Sequence, residues 1–69
     1  MNATEVAKWE RAKQICAACH CTYHVRNRLE LYGKNGLTLG HFDTVAEFYS
    51  FLCGYEHAAT ARRIYEVDG

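Results

Sequence analysis

Residues 23–42, YHVRNRLELYGKNGLTLGHF, alternate apolar and polar side chains, and no other stretch of the chain constrains the fold as tightly. Val25, Leu29 and Leu31 occupy odd positions, while His24, Arg26, Arg28, Glu30 and Tyr32 occupy even ones. That is the pattern of a strand with one buried face. In the return segment Leu37, Leu39 and His41 are odd, and Thr38, Gly40 and Phe42 are even. A two-residue Asn35-Gly36 loop would pair odd positions with even ones and send the leucines to opposite faces. A three-residue loop, Lys34-Asn35-Gly36, keeps them together by pairing Leu31 with Leu39 and Leu29 with His41. It also gives Gly36 the left-handed position such loops require. The stretch reads as a two-stranded hairpin whose open side carries His24, Arg26, Arg28, Tyr32 and Phe42, with Arg28 opposite Phe42.

Helical patterns flank it. From about Ala3 to Cys19, Val6, Trp9, Ala12, Cys16 and Cys19, with Ile15 beside them, recur at helical spacing among charged residues. Asn2 and Glu5 are placed to start that helix. A second helix begins in FDTVAEF, where Thr44 and Glu47 have capping-box spacing and Asp43 adds favourable charge. Val45, Phe48, Leu52 and Tyr55 make its stripe, widened by Tyr49 and Phe51. Gly54 either ends this helix or lies within a longer one, and RRIYEVDG suits a last helical turn or a short edge strand. The expected fold is α+β, a single domain over residues 1–69 in the order αββα, with both helices on one face of the hairpin.

A chain of 69 residues buries only about 60% of the surface its unfolded form exposes. Disulfides, a metal or a second subunit commonly make up the shortfall. A lone hairpin is marginal in water, and the aromatic arc of the second helix is wider than two strands can cover, so a homodimer is expected. The net charge is zero, which gives no general attraction to nucleic acid or anionic membrane. No run approaches the roughly 18 apolar residues of a membrane span, and MNATEVAKWER lacks a secretory pattern. The expected location is cytoplasmic, where thiols stay reduced.

The segment CAACHC, residues 16–21, concentrates three of the four cysteines. Cys16-x-x-Cys19-His20 has the form of a c-type haem attachment site, and KQICAACH resembles the first helix of small cytochromes c. Against this, the only methionine is Met1, so His24, His41 or His57 would have to serve as second ligand. Zinc is the stronger chemical alternative. Cys16 with Cys19 and Cys53 with His57 would give four ligands from two helices that should pack together. The leading reading takes neither, since buried free cysteine behaves as a small hydrophobe, and it includes no cofactor.

Catalysis is not expected. The chain has no glycine-rich phosphate loop and no Gly-x-Ser-x-Gly turn, and its carboxylates are scattered over polar faces. Arginine and aromatic residues on the open hairpin side suit a recognition surface. Such a surface can take single-stranded nucleic acid, but Glu30 interrupts it.

The segment from Leu29 to Glu56, a hairpin with an Asn-Gly turn leading through FDTVAEF into an aromatic helix, resembles short phage- and prophage-encoded proteins, some anti-CRISPR proteins among them. The resemblance implies a compact non-catalytic protein that binds and inhibits or redirects a larger host protein. The expected contact residues are Arg26, Arg28, Tyr32 and Phe42 on the sheet, with Tyr49 and Phe51 at the edges of the helix stripe. The alternative is a zinc-stabilised nucleic-acid-binding module, and a c-type haem protein comes third.

Overall fold

A computed structural model describes residues 2–68, with side chains for residues 2–61. Met1 and Gly69 lie outside the described residues. The chain runs α1 (Ala3–Ala18), β1 (Thr22–Val25), β2 (Leu29–Tyr32), β3 (Thr38–Phe42) and α2 (Val45–Asp68). This is the expected α+β order with one strand more. The segment anticipated as one strand folds back on itself at residues 26–28, where the Arg26 N–H donates to the Arg28 carbonyl at 3.1 Å. Val25 then faces Leu29 and His24 faces Glu30. The result is an antiparallel sheet in the order β1-β2-β3.

Both helices start on the caps their sequences offer. The Asn2 side chain accepts the Glu5 N–H at 2.8 Å. Thr44 Oγ1 accepts the Glu47 N–H at 3.1 Å and returns its own proton to Glu47 Oε1 at 3.1 Å. Each cap satisfies donors that the first helical turn leaves without intrahelical partners.

The β2–β3 loop is the expected three-residue one. Gly33 and Leu37 close it through a 2.8 Å bond, Gly36 returns its N–H to Gly33, and Gly36 has φ 84°. One step further, the register changes. Tyr32 still faces Thr38, but Leu31 faces Gly40, Glu30 faces His41 and Leu29 faces Phe42. Leu39 is the extra residue of a β-bulge, so the expected pairs Leu31 with Leu39 and Leu29 with His41 do not form. The bulge reverses parity along β3. Leu39 and Phe42 both reach the helix side, and His41 moves to the open side.

The helices lie side by side on the leucine face, α1 over β1 and α2 over β3. They run in the same direction, with Trp9 against Phe48 at 5.8 Å near their starts. The core comprises Ala12, Ile15, Cys16, Cys21, Leu29, Leu31, Phe48 and Leu52. Phe48 is its hub: besides Trp9, the rings of Tyr23 and Phe42 meet it at 6.1 and 5.7 Å. Val6, expected on the buried stripe of α1, is instead 44% exposed. The extra strand and α1 pack against Phe48 and Leu52 of α2, while Phe51 at the edge of its aromatic arc stays 36% exposed.

Gly54 lies inside α2, which continues through it to Asp68, so neither a helix break nor an edge strand forms there. A Cβ built at Gly54 meets nothing within 4 Å. Gly54→Ala is therefore expected to stabilise the fold by roughly 0.8–1 kcal/mol, read as a higher urea midpoint at unchanged slope. No helix among the described residues is long and apolar enough to cross a membrane.

Candidate interaction surface

Among the described residues, nothing covers the sheet face turned away from the helices. Pairing across the strands builds it in rows, because residues directly opposite on antiparallel strands share a face. The middle row is His24, Glu30 and His41; the next brings Thr22, Tyr32 and Thr38 together. The hairpin tip adds Arg26, Asn27 and Arg28.

These side chains are mutually engaged. Tyr32 Oη donates to Glu30 Oε2 at 3.2 Å, and the Tyr32 ring meets the edge of His24 at 5.3 Å. Burial first, then the bond to Glu30 and that carboxylate's charge, raise the Tyr32 phenol, so it remains a neutral donor. Arg26 Nε stands 3.6 Å from Glu30 Oε1 with its side chain 71% exposed. At that distance it is an ion pair rather than a hydrogen bond. Glu30 Oε1 is shielded from solvent and accepts no hydrogen bond among the described residues. Arg28 Nη1 lies 3.0 Å from His41 Nδ1. A guanidinium can only donate, so His41 accepts on Nδ1 and carries its proton on Nε2.

Arg26, Arg28 and Tyr32 therefore stand together on the open face, as expected, and both arginines have neighbours within the chain while staying exposed. Phe42 does not join them. The bulge turns it to the helix side, where it packs on Phe48 and, at 5.3 Å, on Phe51. Glu30 faces His41 where Arg28 was expected to face Phe42. Tyr49 and Phe51 lie on α2, behind the sheet. Tyr49 is half-buried with Lys8 Nζ 6.0 Å from its ring centre, and Phe51 stacks on Tyr55 at 6.2 Å. They belong to a different surface. His41 was the residue missed, and Gly40 carried the signal: a glycine inside a strand often marks a bulge or a close approach. A Cβ on Gly40 would come within 3.2 Å of the Phe42 ring, which lies over it.

CAACHC is a helix stop. The His20 N–H donates to the Ala17 carbonyl at 3.2 Å and the Cys21 N–H to the Cys16 carbonyl at 2.9 Å. With His20 at φ 59°, this is the Schellman arrangement, in which buried Cys16 and Cys21 take the positions of its usual apolar contact. Glycine fits that left-handed position without its steric cost. His20→Gly is therefore expected to gain roughly 0.5–1 kcal/mol, seen as a raised melting temperature, since the His20 side chain is exposed.

Burial, with the Cys21 and Cys19 thiols adding to it, pushes the Cys16 thiol from 9.0 up to about 11. Burial also raises Cys21. The folded chain thus holds these protons more tightly than the unfolded chain does. That contribution to stability is complete below pH 9 and is lost as the pH rises toward about 11. The urea midpoint should fall across that window, and fall less in Cys16→Ala. Near neutral pH, half-buried Cys53 should alkylate well before Cys16.

Cys16, only 2% exposed, points into the core, so attaching haem there would require opening the packing between α1 and the sheet. Residues 22–42 form the sheet rather than haem-enclosing helices. Among the described residues, no group of three or more His, Cys, Asp or Glu is placed to hold one metal ion. The chain matches no known family model, no curated protein and no solved structure.

Proposed function

We propose that the chain is a small interaction module that docks the open face of its sheet against a larger protein and obstructs or redirects it. One observation carries this reading: one face of a three-stranded sheet is left bare while two helices occupy the other, and the bare face presents two exposed arginines beside Tyr32. Arginine and tyrosine are the residues that most often anchor protein interfaces. Docking of this kind requires a rigid platform and a few anchors. The Tyr32–Glu30–Arg26 chain of contacts limits how far those anchors can move. Glu30, at the centre of the middle row, opposes a polyanionic nucleic acid.

The test is capture of partners from the native host with tagged chain, with the captured protein identified, purified and titrated back. Arg26→Ala, Arg28→Ala and Tyr32→Ala combined should abolish that binding while leaving the circular dichroism spectrum intact. Undiminished binding by the triple variant overturns the reading. The same reading includes a homodimer joined along a free sheet edge, and light scattering that finds only monomer at micromolar concentration removes that part.

A further inference from the structure

We infer that the tip of the β1–β2 hairpin receives a carboxylate: an Asp or Glu side chain of an acidic partner segment seats between Arg26, Asn27, Arg28 and Glu30 and draws the Arg28 guanidinium from His41. The inference rests on the docking reading above and names the chemistry of what docks. A hollow of about 160 Å³ opens between those four residues.

The charges decide what enters it. Arg28 forms no ion pair among the described residues, and its partner is the neutral acceptor nitrogen of His41. Its positive charge is oriented but not compensated. Arg26 stands 3.6 Å from Glu30 at Nε, and its side chain remains 71% exposed. Guanidinium forks match carboxylates in plane and spacing, and charge-assisted bonds of this kind are stronger than the imidazole contact they replace. Glu30 is tied to Tyr32 through Oε2, so it stays as a fixed negative wall beside the hollow. That wall tolerates one carboxylate between two guanidiniums but works against a continuous run of phosphates. The zero net charge of the chain supplies no wider field to gather such a run.

The test titrates the full chain, at low ionic strength, against three fluorescein-labelled probes: an oligo-glutamate whose acids are spaced singly by neutral residues, oligo-lysine and oligothymidylate. Oligo-glutamate should raise the anisotropy and the other two should not. Arg28→Ala should weaken oligo-glutamate about fivefold, the upper end for an exposed charge pair. Lys34→Ala, which removes a cation at the other hairpin, should leave binding within about twofold, and Glu30→Gln should tighten it. In the NMR spectrum the His41 ring resonances should shift on adding oligo-glutamate to the parent chain and stay still in Arg28→Ala.

Three results overturn the inference: oligo-glutamate ignored, Arg28→Ala and Lys34→Ala weakening it alike, or oligothymidylate bound at least as tightly. If oligo-glutamate is ignored while the triple variant still loses its captured partner, the carboxylate site is wrong and the docking face stands. If the triple variant keeps its partner, the docking face itself has failed.

Discussion

Phe48→Ala is expected to remove a large share of the fold's stability at room temperature. Phe48 is fully buried and its ring meets Trp9, Tyr23 and Phe42, so one side chain joins α1, β1, β3 and α2. Truncating a buried phenylalanine costs about 3–5 kcal/mol in lost burial and the cavity left behind. At roughly 0.05–0.15 kcal/mol per residue, a 69-residue chain has a total of only about 3–10 kcal/mol to lose. The urea midpoint should therefore fall by at least about a third, and reach zero if the parent lies at the low end of that range. Phe48→Leu, which keeps most of the volume, should remain folded with a lowered midpoint. Leu37→Ala, at a position 65% exposed, should stay within about 0.5 kcal/mol of the parent. Equal midpoints for Phe48→Ala and Leu37→Ala would mean that the helices do not close over the sheet through this ring.

Phe42→Ala comes second, at an expected cost of about 2–3 kcal/mol, below the full-burial range because the side chain is only half-buried. His41→Ala, on the exposed side of the same strand, should cost less than about 0.5 kcal/mol. The contrast tests the bulge directly. If β3 paired without the extra residue, Phe42 would stand on the open face opposite Arg28, and the two substitutions would exchange their effects. Urea denaturation of both variants reads the difference. A larger cost at His41 than at Phe42 would return the strand to regular pairing and dissolve the row His24, Glu30, His41.

The sheet shows why faces were easier to read than strands. Treating residues 23–32 as one strand placed Leu29, Leu31, Glu30 and Tyr32 on their correct sides, although the segment is two strands and Val25, expected on the buried face, is 63% exposed. The three-residue fold-back at residues 26–28 pairs Val25 with Leu29 and Tyr23 with Leu31, odd with odd, so the alternation runs through the turn unbroken. A continuous strand and a tight hairpin thus share one pattern, and Asn27 alone was a faint turn signal. The bulge is the opposite case. It reverses parity partway along β3, so Phe42, assigned by alternation to the open face, enters the core and His41 takes the polar place.

The cysteine cluster was legible in kind and not in detail. Burial at Cys16 followed from helical spacing, whereas the roles of His20 and Cys21 depend on a backbone reversal that their side chains do not announce. The candidate surface divides in the same way. Arg26, Arg28 and Tyr32 were placed by period alone; Glu30 as a tethered centre and His41 as the Arg28 partner required the register across strands.

Residue order alone fixed the two helices and their caps, the shared face of Leu29, Leu31 and Leu39, the Gly36 loop and the side on which the arginines stand, while Leu37, grouped with those leucines by alternation, is 65% exposed. Each depends on periodicity or on bonds spanning a few residues. Only the tertiary structure decided the strand count, the β3 bulge, the passage of α2 through Gly54 and the grouping of His24, Glu30 and His41. Those outcomes turn on which backbone groups pair between distant segments, and on whether Phe42 gains more by packing over Gly40 against Phe48 than a regular ladder gains by keeping Leu39 in line.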